Sequence, residues 1–261
     1  AAYEAVPRGT ASRSLVTRLI PSPSINLASR RTLLRLRGTL RRRGARKVLV
    51  LGGGRQRKWL DPLMSGGTPD GLQLTYTDID HGADVDLFCD AHELPFLDAS
   101  QDAVITTAVL EHVMYPERAA AEIHRVLRVG GLLYSEMPFM QQVHEGAYDF
   151  TRYTLSGHRR LFNRFDEIDS GMVAGPATAL VWAIENFALA FVSRPRLRQA
   201  VKALVRIAAG WIKYLDRLLM HNPQAMDGAS CTYFLGSKVD TPIPDSEIVA
   251  RYVGAKHLQH S

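Results

Sequence analysis

The sequence predicts an α/β protein built around a mostly parallel β-sheet, and three observations point to this class. From Lys47 onward, short apolar runs alternate with segments of helical periodicity. The apolar runs have no polar face, which is typical of parallel strands covered by helices on both sides. The first run, KVLVL (47–51), leads directly into three glycines. Such a junction brings the backbone close to a ligand or to the next turn of chain.

Four parts follow in chain order. Residues 1–46 form a basic N-terminal arm and a helix over 30–43, for which Ser29 is the expected cap. The core spans 47–170, and a helical insertion spans 171–228. The last part, 229–261, holds a final strand at 231–238 and a polar tail. Within the core, strands are predicted at 47–51, 72–79, 85–89, 103–110 and 131–139, with a helix over 116–128 that stops at Gly130–Gly131.

The insertion has two apolar segments. Pro176, Glu185 and Asn186 interrupt the first, 171–192, and argue against a membrane-spanning helix. The second, 196–220, has the spacing of one basic amphipathic helix. We expect it to pack in a cap or in a homodimer interface, and the alternative is peripheral contact with an anionic membrane.

The distribution of charge and the number of cysteines limit the classes of binding partner and the cellular location that we expect. Residues 1–47 carry twelve Lys or Arg against one acid, whereas the rest of the chain has 20 basic and 25 acidic residues. We expect the arm's arginines to form a solvated helix face, and nucleic-acid binding is not expected because the sequence contains no recognisable RNA-binding module. Two cysteines are too few for a disulfide framework, which favours a reducing, cytoplasmic location.

The glycine loop does not fit a dinucleotide motif, because the third glycine position is Arg57 and Pro62 interrupts the following helix. Two acids after later strands suggest a different nucleotide ligand. Asp78 stands 24 residues beyond Gly54, where a carboxylate can accept both ribose hydroxyls. Asp90 ends the third strand, where it can accept the exocyclic amine of an adenine.

Five stretches together resemble the class I S-adenosylmethionine-dependent methyltransferases, of the quinone-biosynthesis-like (type 11) group. They are VLVLGGG (48–54), YTDID (76–80), CDAHELPF (89–96), DAVITTAVLEHV (102–113) and EIHRVLRVGGLLYSEMPF (122–139). The resemblance covers 47 to about 162, somewhat under half of the chain. It implies a Rossmann-like seven-stranded sheet whose last strand is antiparallel, with S-adenosyl-L-methionine as cofactor and S-adenosyl-L-homocysteine as product.

The same resemblance assigns the cofactor residues. Gly52, Gly53 and Gly54 would let the backbone approach the amino-acid part of the cofactor, Asp78 would hold its ribose, and Asp90 with Ala91 would read its adenine. Two positions depart from the family pattern: Val50 stands where an acid is usual, and Gln56 where a further glycine is common. Arg55 could pair with the carboxylate of the cofactor instead.

Two segments could serve the methyl acceptor. Glu111-His112 follows the fourth strand, where the pair either shapes the cofactor pocket or takes part in acid–base chemistry. It also offers two ligands to a divalent metal, but two adjacent residues are a small ligand set, so no metal ligand is assigned.

The second segment, 138–154, concentrates polar and aromatic residues after the fifth strand. It resembles an H-x-x-x-x-D-x-x-R-[YF]-T pattern of bacterial methyltransferases associated with glycan modification. His144 would be the general base, with Asp149 or Glu145 orienting its ring. Tyr148, Arg152 and Tyr153 would hold the acceptor, and the alternative is a structural loop in which Asp149 pairs with Arg152.

The resulting prediction is an O-methyltransferase for a sugar or oligosaccharide hydroxyl. The Arg/Ala-rich composition resembles that of actinobacterial proteins, and enzymes of polysaccharide biosynthesis in that group are the analogy. The alternatives are a lipid or quinone O-methyltransferase with membrane-facing helices, a nucleic-acid methyltransferase and a non-catalytic scaffold of the same fold.

Overall fold

The computed structural model describes residues 22–54, 60, 63 and 71–255. The strands, numbered β1 to β7, are Lys47–Leu51, Gln73–Asp78, Leu87–Phe88, Gln101–Thr107, Leu127–Pro138, Phe165–Ala174 and Cys231–Lys238. The α-helices, numbered α1 to α7 within these residues, are Ser29–Arg42, Pro116–Val126, Leu155–Leu161, Pro176–Ala190, Pro195–Ala209, Asp216–Leu219 and Asp245–Ala250. Short 3-10 turns lie at Leu110–His112, Gly146–Tyr148, Ile212–Leu215 and Pro223–Gly228.

The strands form one seven-stranded sheet in the order β3-β2-β1-β4-β5-β7-β6. The first five strands are parallel, and β7 runs antiparallel to both β5 and β6. The predicted α/β fold with an antiparallel last strand is therefore confirmed. Strand order reverses between β1 and β4, and in such sheets a ligand crevice opens there at the carboxyl ends of the strands.

The central strand β1 explains why the sequence shows apolar runs rather than alternation. Val48 and Val50 pack into the core on one face, and Leu49 and Leu51 pack into the core on the other. Successive side chains of a strand point to opposite faces, so a strand covered on both sides must be apolar at every position.

The predicted boundary between α2 and β5 is wrong. The helix ends at Val126 rather than at 128, and Leu127 already pairs with Gln101 of β4. Gly130, at φ +72°, and Gly131 lie inside β5, where the register with β4 shifts. A Cβ on Gly131 would lie 2.8 Å from the carbonyl oxygen of Arg128. The two glycines therefore permit a strand irregularity and do not terminate the helix.

The apolar run 171–192 contains two elements. Its first four residues are the buried end of β6, and Pro176 then begins α4. The sequence prediction missed β6, so the boundary it placed after residue 170 falls inside a strand. Strand β6 lies at the sheet edge, and its 166–170 stretch is not buried.

The single helix predicted over 196–220 is also wrong. Helix α5 ends at Ala209, and a 3-10 turn separates it from α6. Asp216, fully buried, accounts for the break. Its carboxylate accepts the backbone N–H groups of Gly175, Ala177 and Thr178 at 2.9–3.0 Å. The chain bends so that this acid caps the N-terminus of α4.

Ser29 does not cap α1, contrary to prediction. Its N–H donates to Asn26 Oδ1 at 2.9 Å, and its hydroxyl donates to Glu136 of β5. The Tyr134 hydroxyl donates to the same carboxylate. The first described helix is thus fastened to the middle of the sheet. In the described part of the chain, no helix combines the length and apolar character needed to cross a membrane.

Candidate active site

A cavity opens at the carboxyl ends of β1, β2 and β4, where the strand order reverses. The fold brings four of the predicted cofactor residues to its wall: Gly52, Asp78, Asp90 and Ala91. Its other lining residues are Leu51, Thr77, Ile79, Cys89, His92, Ala108, Val109, His112, Val113, Met114 and Phe150. The adenosine-binding residues proposed from separate stretches of sequence therefore share one site.

The glycine loop is shaped for close approach. Gly52 has φ +66°, and a Cβ there would lie 2.2 Å from Val109 Cγ2. Gly53 donates its N–H to the Thr77 carbonyl oxygen at 2.9 Å. Gly54, at φ +49°, donates its N–H to Asp78 Oδ2 at 3.2 Å. The loop is thus fastened to β2, and only glycine fits at Gly52 without strain.

Asp78 is oriented by backbone donors on both oxygens. Oδ2 accepts from Gly54, and Oδ1 accepts the N–H of Asp80 at 3.0 Å. Each carboxylate oxygen retains a second lone pair, so the group can still accept two neighbouring hydroxyls. This geometry fits the ribose of the cofactor.

Asp90 is held through one oxygen. Its Oδ1 accepts the N–H of His92 at 2.9 Å and lies 2.6 Å from His92 Nδ1, while His92 Nε2 accepts the N–H of Tyr115 at 3.1 Å. The imidazole proton therefore sits on Nδ1, and Asp90 Oδ2 faces no described protein donor. An adenine amine suits this oxygen. Sequence reasoning missed His92, although the Asp-x-His spacing is that of an Asx-turn.

The two departures from the family pattern have different outcomes. Val50 is fully buried in the core and is not among the residues that line the cavity. Arg55 and Gln56 lie outside the described residues.

Beside the cavity, three side chains form what we call the proton cluster: Glu111, His112 and His144. Glu111 and His112 lie on the 3-10 turn after β4, and His144 lies on the loop after β5. His112 Nε2 is 3.7 Å from Glu111 Oε1, and His144 Nε2 is 4.0 Å from the same oxygen. The two rings meet edge to face, with centroids 5.0 Å apart. His112 also lines the cofactor cavity, so the cluster borders the cofactor site.

Each imidazole has a partner that fixes its proton. His112 Nδ1 lies 2.7 Å from the Tyr148 carbonyl oxygen, which can only accept. His144 Nδ1 lies 3.4 Å from Asp149 Oδ2, 3.3 Å from the Gln142 carbonyl oxygen and 3.4 Å from the side-chain nitrogen of Gln141. The Tyr148 carbonyl fixes the proton of neutral His112 on Nδ1, and the two oxygens beside His144 Nδ1 favour the same tautomer there, with Nε2 facing the cluster.

Glu111 is fully buried, and neither of its carboxyl oxygens has a hydrogen-bond partner among the described residues. Burial raises the pKa of this carboxyl to about 8, and the nearby Asp149 and Glu136 carboxylates add to the rise. Burial lowers the pKa of His112. A buried acid with a strongly raised pKa beside a cavity is a frequent mark of a functional site.

Asp149 and Arg152 form a scaffold behind His144. Burial opposes ionisation of Asp149, but hydrogen bonds from Arg152 and from the His144 N–H outweigh it and hold the pKa of this carboxyl below its usual range. All five N–H donors of Arg152 are used, by Asp149 and by the carbonyls of Gln141, Gln142 and Thr151. An acceptor would have to displace one of these partners to bind the guanidinium, and the assignment of Arg152 to the acceptor stays a prediction. Its Asp149 pair is the one anticipated as the structural alternative.

The remaining predicted substrate residues are dispersed. The Tyr153 hydroxyl donates to Glu117 at 3.3 Å, and Tyr153 lines a different cavity from the one that His112 lines. Its assignment to the acceptor stays a prediction. Burial and the Glu117 charge raise the pKa of Tyr153 to about 12. Glu145 is exposed at the loop tip. Tyr148 contributes its carbonyl to His112, which sequence reasoning could not foresee.

Comparison with known proteins agrees with this geometry. Residues 52–135 match a family model described as a methyltransferase domain. The chain carries a methyltransferase domain. Its cofactor is S-adenosylmethionine, and the oriented acceptors of Asp78 and Asp90 fit that molecule. No curated protein matches the chain.

Solved structures of similar fold include a putative sarcosine dimethylglycine methyltransferase from Galdieria sulphuraria. It is 14% identical, with a TM-score of 0.51, and the match covers 84% of this methyltransferase and 93% of that chain. A SAM-dependent methyltransferase from Archaeoglobus fulgidus is 15% identical, with a TM-score of 0.46 and coverage of 79% and 94%. At 14% identity the likeness to the Galdieria sulphuraria structure concerns the fold alone.

Proposed function

We propose that this methyltransferase methylates a hydroxyl group of a sugar or oligosaccharide, with the proton cluster as the site of deprotonation. The observation that carries the proposal is the position of the cluster. His112 belongs at once to the wall of the cofactor cavity and to the group that contains His144 and Glu111. An acceptor oxygen between them would face the cofactor on one side and basic nitrogens on the other.

S-adenosylmethionine supplies a methyl group on a sulfonium, which passes in line to the acceptor oxygen. A hydroxyl is a poor nucleophile until its proton is removed, and a placed base contributes about 10²–10⁴-fold to such a step. His144 Nε2 accepts that proton in the proposal. Asp149, beside Nδ1, orients the ring and stabilises the imidazolium that forms. Glu111 and His112 form the cofactor-side wall of this pocket.

Several buried polar atoms of the described residues have no hydrogen-bond partner, and a polyol acceptor is favoured by those near His144. Besides the Glu111 oxygens, two of them lie on the loop that carries His144, Gln142 Oε1 and Thr151 Oγ1, and the others are the hydroxyls of Thr106, Thr178 and Ser230. Leaving such an atom unsatisfied costs about 1–3 kcal/mol. An acceptor with several hydroxyls can supply the missing partners, whereas an apolar ring cannot.

The test measures formation of S-adenosylhomocysteine with a panel of sugars, oligosaccharides and quinols. We expect turnover with a polyol, and a fall of about 10²–10⁴-fold in His144→Ala with the affinity for S-adenosylhomocysteine unchanged. His221→Ala, on an exposed residue distant in sequence, is the matched control. Unchanged turnover in His144→Ala would refute the assigned base. Cofactor binding without turnover on any acceptor would favour a scaffold.

A lipid acceptor at an anionic membrane is the second candidate, and the surface of α4 and α5 favours it. The helices pack against each other, and their outer faces continue into the following turn. Large apolar side chains are exposed along this surface: Leu180, Phe187, Phe191, Leu197, Leu204, Ile207, Trp211, Tyr214 and Leu218. Such a patch on a soluble fold marks an interaction site.

The charge of the same surface suits anionic headgroups. Residues 194–217 hold seven Lys or Arg. Arg206 is paired with Glu185, and Lys213 is buried against the Ser22 carbonyl. Arg194, Arg196 and Arg217 are exposed. The helix α4 also reaches the active site, because the Trp182 ring lies 6.4 Å from that of His144. A lipid held by these helices would thus approach the proton cluster.

Vesicle sedimentation separates the two candidates. Lipid action predicts co-sedimentation with phosphatidylglycerol vesicles but not with phosphatidylcholine vesicles, weakened by salt and by Phe187→Glu. The matched control is Val129→Glu, on an exposed apolar residue of the sheet. Equal partitioning to both vesicle types, or none, would remove the lipid candidate. Self-association lost in Phe187→Glu would instead assign the surface to a homodimer.

A further inference from the structure

In the proton cluster one carboxyl and two imidazoles face one another, and no described residue outside the cluster donates to the Glu111 oxygens. Its three donor atoms for a metal, Glu111 Oε1 and the Nε2 atoms of His112 and His144, lie within 4.8 Å of one another. The Nε2 atoms of both imidazoles face inward, and the oxygens beside the two Nδ1 atoms favour the tautomer in which each Nε2 is an acceptor. Such a group lacks a central positive charge, which a proton or a cation can supply.

The sequence alone offered only the adjacent pair Glu111-His112 as ligands. The fold adds His144, which lies 32 residues further along the chain on the loop after the neighbouring strand. Three protein ligands with further positions open is the usual arrangement of a catalytic zinc site. The folded chain therefore supplies three ligands, which are sufficient for a metal site, whereas the sequence suggested only two.

The distances suit an ion with short bonds. Bonds of about 2.1 Å to a tetrahedral ion put neighbouring ligand atoms about 3.4 Å apart. The two spacings from Glu111 Oε1, 3.7 Å and 4.0 Å, exceed this by a few tenths of an ångström. Small side-chain rotations would close that difference. No described donor competes for the carboxylate, since both of its oxygens lack a partner.

The outer contacts also match those of metal sites. Metal-binding histidines usually donate their second ring N–H to a carboxylate or to a backbone carbonyl, which fixes the tautomer. His112 faces a carbonyl and His144 faces the Asp149 carboxylate. The nearby cation Arg152 forms its ion pair with Asp149, and the described ion pairs include none between Arg152 and Glu111.

We propose that Glu111, His112 and His144 bind a divalent first-row transition-metal ion, with zinc as the reference case. The mixed nitrogen and oxygen donors favour this class over magnesium or calcium. The inference rests on the proposed function for the step it serves, removal of the acceptor proton. With the ion bound, His144 Nε2 would be a ligand in place of the base assigned above, and an acceptor hydroxyl in an open position would become acidic enough to lose its proton to water. The oxygen then takes the methyl group, and the sulfur of the cofactor keeps the electron pair of the broken bond.

Metal binding can be measured without any acceptor. Titration calorimetry of the full chain with Zn²⁺, after treatment with a chelator, should give one tight site per chain. Replacing Zn²⁺ by Co²⁺ should give the visible d–d absorption of a cobalt site with a low coordination number. Glu111→Gln and His144→Ala should each weaken Zn²⁺ binding by at least about 100-fold, and Asp149→Asn by about 10-fold. The control His221→Ala should bind as the wild type does.

Binding of S-adenosylhomocysteine by each variant confirms that it is folded. Absence of a tight zinc site in the wild type, or equal zinc affinity in Glu111→Gln and His144→Ala, would overturn the inference. The proposed function would survive that result if turnover persists after chelation and is lost in His144→Ala. Conversely, tight zinc binding with no methyl transfer to any acceptor would leave the metal site standing and remove the proposed function.

Discussion

Replacing Asp78 by asparagine tests whether this carboxylate holds the ribose of S-adenosylmethionine. The change keeps the shape of the side chain and removes its charge. Asparagine also presents an NH₂ group, and Gly54 already donates an N–H to Oδ2 while Asp80 donates one to Oδ1. Whichever way the amide is turned, one backbone donor loses its acceptor.

The expected loss follows from the hydrogen bonds involved. A hydrogen bond to a charged group contributes about 1.5–3 kcal/mol. Two ribose hydroxyls at the lower end of that range give about 3 kcal/mol, which is roughly a 100-fold weaker affinity. Calorimetric titration with S-adenosylhomocysteine measures this directly. Asp80→Asn is the matched control, because its carboxylate accepts the N–H of Gly82 and does not line the cavity.

A second ligand makes the result specific to the ribose. The 2′-deoxy analogue of S-adenosylhomocysteine should bind the wild type more weakly than the parent compound, and Asp78→Asn should lose most of that preference. An affinity of Asp78→Asn within threefold of the wild type would refute the assignment. So would a full preference for the ribose hydroxyl in the variant, since the discrimination would then arise elsewhere.

Three further predictions concern the same framework. Gly52→Ala should weaken S-adenosylhomocysteine binding at least tenfold, because its Cβ would lie 2.2 Å from Val109. The control Gly44→Ala, also at positive φ but with open space around it, should leave binding unchanged. Burial lowers the pKa of His158 to about 3, so below pH 6.5 the unfolded state binds a proton that the folded state does not. The free energy of unfolding should therefore fall by up to about 1.4 kcal/mol per pH unit below pH 6.5. Denaturant titrations at pH 7 and pH 5 should show a smaller fall for His158→Gln than for the wild type. Asp216→Asn should lower the free energy of unfolding by about 2 kcal/mol, measured with urea, because three backbone donors of α4 share its carboxylate; an unchanged urea midpoint would show that water replaces that cap.

The residues assigned to the cofactor from sequence share one cavity because each of them follows a strand directly. Gly52, Asp78 and Asp90 lie at or just after the carboxyl ends of β1, β2 and β3. Parallel strands bring their carboxyl ends to one edge of the sheet, so residues that follow different strands lie close together in the fold. Strand β6 was not predicted because most of it has no continuous apolar run; it is a strand because it pairs with β7 at the edge of the sheet.

The acceptor side could not be resolved in the same way. The residue types on the loop after β5 pointed to a site, but their hydrogen-bond partners depend on backbone carbonyls that carry no sequence signature. Arg152 illustrates this, since three carbonyls use the donors that an acceptor would need. The break in the basic helix at 210 has the same origin, because only the folded chain reveals that Asp216 caps another helix.

The backbone joins the two halves of the proton cluster before any ligand arrives. Ala108, at φ +53°, turns the chain out of β4 and donates its N–H to the Glu136 carbonyl of β5. The Glu111 carbonyl then accepts the N–H of Phe150 at 2.8 Å, so the turn that carries Glu111 is bonded to the loop that carries His144. These bonds do not involve the imidazole of His144. Truncating that ring should therefore leave the loop in place, and a change in turnover or zinc affinity in His144→Ala reports on the lost nitrogen rather than on a displaced backbone.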